Sequence, residues 1–178
     1  GGIDLMFTVE ELLAQTEKNL SSGFRAIKMK VGRDNLDEDI DRIAAMRKHL
    51  GKNFPLMVDA NMRWTVDEAI RAARSFREFD LVWLEEPTIP EDFSGHNRIL
   101  VEGGVPVSAG ENLHTIYDFQ HMLEANGVSY IEPDVSKSAA VPLLIDDDQL
   151  YKATGLPKKA PWKTHNTVYA PHLYTMGM

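Results

Sequence analysis

Short apolar runs alternate with amphipathic stretches along most of the chain. Runs at 25–31, 54–58, 81–84, 105–109 and 128–131 are nearly continuous in apolar or β-favouring residues, and each ends at or just before a polar residue. Such runs suit strands buried on both faces of a parallel sheet. Between them the apolar period changes to that of a helix. Thr8-Val9-Glu10-Glu11 is a capping box opening a helix to about Leu20. The stretch 37–50 puts Ile40, Ile43, Ala44 and Met46 on one side, with Gly51 as the stop. Thr65-Val66-Asp67-Glu68 is a second capping box, followed by Ile70, Ala73 and Phe76. A further helix over 115–125 carries Ile116, Phe119 and Leu123 and ends at Asn126-Gly127.

Strands alternating with helices predict βαβ units and an α/β fold with a parallel sheet. The polar residues at the strand ends are Lys30, Asp59, Glu85, Glu111 and Asp134, at steps of 29, 26, 26 and 23 residues. One ionisable group per successive strand end is what the mouth of a (β/α)8 TIM-type barrel presents. A doubly wound open sheet would carry a glycine-rich phosphate loop after its first strand. Lys30-Val31-Gly32-Arg33 is too short to be one. A complete barrel needs about 250 residues, so a chain of 178 residues with five well-marked units predicts an incomplete barrel. Residues 1–137 read as its core, carrying the acidic and lysine motifs, and 138–178 as a poorly matching C-terminal segment.

Asp59, Glu85 and Glu111 each follow an apolar strand, so their carboxylates are expected to emerge together. Three carboxylates at one mouth repel unless a cation neutralises them. Oxygen-only ligands with open positions suit Mg²⁺. Lys28 and Lys30 flank Met29 on one strand and therefore point the same way, inward if Met29 packs outward on helices. Two buried lysines are expected to depress each other's pKa, which fits one of them to serve as a general base.

Charge and composition narrow the partners. A formal net charge of −8 argues against general binding to nucleic acid or anionic membrane, and the metal leaves a small anionic substrate open. The absence of cysteine excludes disulfides, zinc–thiolate sites and cysteine nucleophiles. A reducing cytoplasm is the default compartment. No apolar run approaches the roughly 20 residues that span a bilayer, and the first residues carry neither a signal-peptide pattern nor a Met. Open sheet edges in a partial barrel would favour association into a homo-oligomer.

Lys28-Met29-Lys30, Asp59-Ala60-Asn61, Glu85-Glu86-Pro87, Gly110-Glu111-Asn112 and Pro133-Asp134, in this order and spacing over residues 7–137, resemble the enolase superfamily. The closer resemblance is to its mandelate racemase and acid-sugar dehydratase group. The resemblance implies a modified (β/α)8 barrel capped by a separate α+β domain, and abstraction of a proton α to a carboxylate with Mg²⁺ on that carboxylate. Carried over by position, Asp59, Glu85 and Glu111 would be the metal ligands and Lys30 the base. Lys28 would tune Lys30 and touch the substrate carboxylate. Asp134 would orient a catalytic His of the next strand, acting on the opposite face.

Beyond Asp134 the pattern departs. Ala139-Ala140 stands where the family has paired glycines, and Pro161 falls near the expected His. His165 is the nearest candidate and His172 the next. The capping domain and last strand of the family are not present in the chain. The expected reaction is dehydration of a sugar acid. Racemisation or epimerisation of a 2-hydroxy acid or dipeptide is the alternative, and an inactive barrel piece that folds by association is the alternative of another class. Among weaker signals, His96 reads as the start of a surface helix and Asp146-Asp147-Asp148 as a solvated turn. Trp64 reads as pocket wall or core, Asn61 as a turn or a ligand contact, and Glu86 as an acid paired beside the ligands rather than a ligand.

Overall fold

The computed structural model describes residues 2–134 and the strand Lys163–Thr164. The described elements run α1 (Val9–Ser21), β1 (Ile27–Lys30), α2 (Leu36–Leu50), β2 (Leu56–Asp59), α3 (Val66–Phe76), β3 (Leu84–Glu85), α4 (Phe93–Arg98), β4 (Val107–Ala109), α5 (Ile116–Glu124), β5 (Tyr130–Ile131) and β6 (Lys163–Thr164). The six strands pair in chain order, all parallel, as consecutive strands of a (β/α)8 barrel do.

Local chemistry sets the helix starts. Thr8 with Glu11, Thr65 with Glu68 and Thr115 with Asp118 form reciprocal capping boxes. Asn35 caps α2 through the backbone NH of Asp37. The helix-facing side chains of the sheet alternate with the inward ones. Met29, Val58 and Leu84 join one buried cluster with Leu12, Ile43, Met46 and Phe76. Val107, Ala109 and Ile131 join a second with Ile70, Ile99, Phe119 and Met122. Met29 does pack outward, so Lys28 and Lys30 face the interior.

The register carries this alternation across the sheet. Lys30 pairs with Asp59, Asp59 with Glu85, Glu85 with Ser108, and Ser108 with Tyr130. In-register residues of parallel strands share a face, so these five residues form one inward layer. Met57 and Trp83, two residues earlier on or before their strands, lie buried one step below. The Trp83 ring meets Tyr130 at 5.2 Å.

One expectation changes here and one is narrowed. His96 is not on the surface. It lies fully buried in α4, donating from Nδ1 to the Asp92 carbonyl at 2.9 Å, and burial lowers its pKa. The burial is non-local: Gly127 passes so close that a Cβ there would lie 3.0 Å from the His96 Cβ. Trp64 is half-buried, packs against both clusters and meets Phe76 at 6.2 Å, and it also walls a groove with Gly32, Arg63 and Arg71.

Candidate active site at the strand C-termini

Strand geometry delivers the charged groups to one end of the sheet. Asp59 and Glu85 close β2 and β3 side by side and are almost fully buried, with side-chain exposures of 2% and 1%. Lys28 Nζ reaches both, hydrogen-bonding to Glu85 (2.5 Å to Oε2) and standing 3.6 Å from Asp59 Oδ2. Lys30 Nζ lies 2.5 Å from the same Asp59 oxygen and also bonds Asn61 Oδ1. From below, Trp83 Nε1 donates to Glu85 Oε2 at 3.0 Å. Asn61 also holds a left-handed turn residue, φ 45°, with its NH on Asp59 Oδ1, so it is both a turn and a site residue.

Glu111 stands two residues beyond β4, half-buried. Gly110 makes that placement possible. Its φ is 143°, and a Cβ there would lie 2.9–3.0 Å from the backbone of Glu132. Two further acids complete the group: Glu86, read from the sequence as paired beside the ligands, and Glu132, which the sequence reading did not single out. Glu86 is 1% exposed and accepts from Asn112 Nδ2 at 2.7 Å, while its other oxygen, Oε2, is buried with no partner. Glu132 follows β5 and feels Glu85, Lys28 and Glu111. The signal that finds it is period-2 alternation: if Asp134 marks the inward face, so does the residue two before it. Asp134 itself is half-buried past β5. His165 and His172 lie outside the described residues.

The electrostatics correct one expectation. Burial lowers the pKa of Lys28, but Glu85, Glu132 and Asp59 outweigh it and the net shift is upward, so Lys28 is held charged rather than poised as a base. The acids show the reverse. Burial first, then neighbouring carboxylates, raise Glu85, push Glu86 to about 7 and push Glu132 to about 8. The mouth therefore holds more carboxylates than its two lysines can neutralise.

Among the described residues no three His, Cys, Asp or Glu side chains already form a set closed around one ion. Asp59 and Glu85 are brought together, with lysines as their counter-charges, and Glu111 stands on the neighbouring loop. The donor chemistry still fits a hard dication: all donors are oxygen, charge is in excess, and one buried carboxylate oxygen lacks any partner.

A parallel α/β barrel segment with buried acids and paired lysines at its strand C-termini belongs to a definite class of protein. Residues 11–142 match the family model described as enolase C-terminal domain-like, and the chain belongs to the enolase superfamily, in its mandelate racemase/muconate lactonizing group. It is 59% identical over 136 residues to 3,6-anhydro-alpha-L-galactonate cycloisomerase of Streptomyces coelicolor, covering 76% of this chain and 38% of that protein. It resembles the crystal structure of a racemase from Streptomyces coelicolor A3(2) with bound magnesium, at 58% identity and TM-score 0.75, over 77% of this chain and 41% of that one. It also resembles L-talarate dehydratase from Polaromonas sp. JS666 complexed with Mg and L-glucarate, at 32% identity and TM-score 0.79, over 87% and 43%. The chain thus spans well under half the length of these relatives. Among the described residues no helix is long and apolar enough to cross a membrane.

Proposed function

We propose that this chain supplies the proton-abstracting mouth of a Mg²⁺-dependent enzyme acting on a sugar acid. Abstraction at the α-carbon is followed by departure of the oxygen on the β-carbon. The carrying observation is the pairing of Asp59 and Glu85 on adjacent strands, each within ion-pair distance of Lys28 or Lys30. Asp59, Glu85 and Glu111 would hold the ion, which when bound takes up negative charge developing on the substrate carboxylate.

The lysines divide the work. Lys28, more deeply set and held charged, is suited to receive the substrate carboxylate. Lys30, nearer the opening, is suited to take the α-proton onto Nζ once Asp59 is engaged elsewhere. The C–H electron pair becomes the new C=C bond as the β C–O bond breaks, and the departing oxygen takes a proton from an acid on the far face. His165, which Asp134 would orient, is the residue proposed for that role. If the oxygen leaves as hydroxide, the acid is dehydrated. If it is the bridging oxygen of a 3,6-anhydro ring, the ring opens and the product is an isomer. The similarity to a cycloisomerase over 136 residues favours the second outcome. Reprotonation of the α-carbon from the opposite face, with no C–O cleavage, would be racemisation, and similarity to a structure described as a racemase keeps that reading in the test.

The protein is incubated with Mg²⁺ and either an aldarate or a 3,6-anhydro-galactonate in D₂O, and products are followed by NMR. The expected result is elimination to a 2-keto acid, with solvent deuterium entering at the former β-carbon as the enol ketonises, reduced about 10²–10⁴-fold in Lys30→Ala. Solvent deuterium at the α-carbon of otherwise unchanged acid would indicate racemisation. Turnover unaffected by Lys30→Ala rejects the assigned base, and no exchange at all favours an inactive barrel piece.

A further inference from the structure

Glu86 is built unlike a bystander. Its backbone is left-handed, φ 40°, a conformation a Glu adopts only when its surroundings impose it. They do so from two sides: its NH donates to the Ser108 carbonyl at 2.9 Å, and its carbonyl accepts from the Met62 NH at 2.7 Å. Its side chain then crosses to Asn112 at 2.7 Å, the residue next to Glu111. One residue thus ties together the loops that follow Asp59, Glu85 and Ala109. Its remaining oxygen is buried and bonded to nothing.

We propose that Glu86 is a positioning residue for the cation site: through Asn112 it fixes the loop that carries Glu111. This rests on the reading that Asp59, Glu85 and Glu111 hold a divalent cation. The physical case is one of competition. A buried carboxylate with one empty oxygen is costly to retain, and a loop starting at Gly110, whose φ is 143°, has little intrinsic preference for one conformation. The Glu86–Asn112 bond supplies that preference. Partners of this kind behind metal ligands set ligand orientation, and their loss costs about 10–100-fold in metal affinity.

The test is Mg²⁺ affinity by calorimetry, with no substrate present, on the wild type and on Glu85→Gln, Glu86→Ala, Glu86→Gln, Asn112→Ala and the Glu86→Ala/Asn112→Ala double variant. Glu86→Ala and Asn112→Ala should each weaken binding about 10–100-fold. Combined, they should cost less than the product of the two losses, because both remove the bond between them. Glu86→Gln keeps an oxygen for Asn112 and should bind within a few-fold of wild type. If Glu86→Ala binds Mg²⁺ as tightly as wild type, or if the two losses multiply, the positioning role is overturned. Should Glu86→Ala fail to fold, Asn112→Ala and Glu86→Gln decide: wild-type affinity in Asn112→Ala, or a loss in Glu86→Gln as large as in Asn112→Ala, overturns it. Glu85→Gln separates the two ideas, since wild-type binding there would remove the cation site itself rather than the role of Glu86.

Discussion

Two buried charge clusters, one on each side of β1, are built in opposite ways. At the start of α2, Asp39 is fully buried and spoken for. One oxygen accepts from the NH groups of Gly32 and Arg33 at 2.7 and 2.9 Å, and the other from Arg42 at 3.2 Å. Arg42 in turn donates to the carbonyls of Lys30 and Asp4, both at 2.9 Å, leaving only its Nε unpartnered. At the mouth, the acids outnumber the lysines, raise one another's pKa and leave a carboxylate oxygen empty. The first cluster is closed and clamps the β1–α2 turn and the residues before α1 onto the strand. The second is open, and its missing charge is what a ligand can supply. Completeness of hydrogen bonding, not burial, separates a structural acid from a functional one.

The largest effect that would break this contrast is on stability. Asp39→Ala strands Arg42 without its counter-ion in the core and should cost about 3–5 kcal/mol in urea unfolding. A loss below 1 kcal/mol would mean the closed cluster is not a clamp. The open cluster should respond instead to ligand. Mg²⁺ at about 100 times its dissociation constant should add about 2.7 kcal/mol to the wild type. That increment should vanish in Glu85→Gln and persist in an Asp39 variant that still folds, such as Asp39→Asn. An equal increment in Glu85→Gln would place the ion elsewhere.

The elements were legible because their signals are local. Capping boxes at Thr8 and Thr65 lie within four residues of sequence, and the apolar runs placed all five strands up to β5, though the ladders are shorter than the runs. Parity alone put Lys28 and Lys30 on one face, and equal spacing put Asp59 and Glu85 side by side. What escaped depends on contacts between distant segments. The charge state of Lys28 is set by Glu85 and Asp59 on the next two strands, and by Glu132. The burial of His96 depends on Gly127, and the closed Asp39–Arg42 cluster on backbone groups of the β1–α2 turn and residues before α1. For Glu86 the sequence reading supplied a place beside the ligands but not the means: in a Glu-Glu pair ending a strand, alternation turns the second acid away from the mouth, and the left-handed backbone at φ 40° brings it back.

The smallest effect sharpens the contrast by its sign. Glu86 has a folded-state pKa raised to about 7 by burial and by the charges of Glu111, Asp59 and Glu85, against its ordinary value of 4.5. The folded protein therefore binds more protons than the unfolded chain between those values, and its stability falls as pH rises through that window. The contribution is fully present below about pH 4.5 and lost above about 7. In EDTA, Glu86→Gln should remove this penalty, so the variant gains on the wild type by about 2 kcal/mol between pH 5 and 8, a figure discounted for water reaching the mouth. Urea midpoints at the two pH values measure it. Parallel wild-type and variant curves would mean that Glu86 is ionised in the metal-free mouth at no cost, and the open cluster would then be as well satisfied as the closed one.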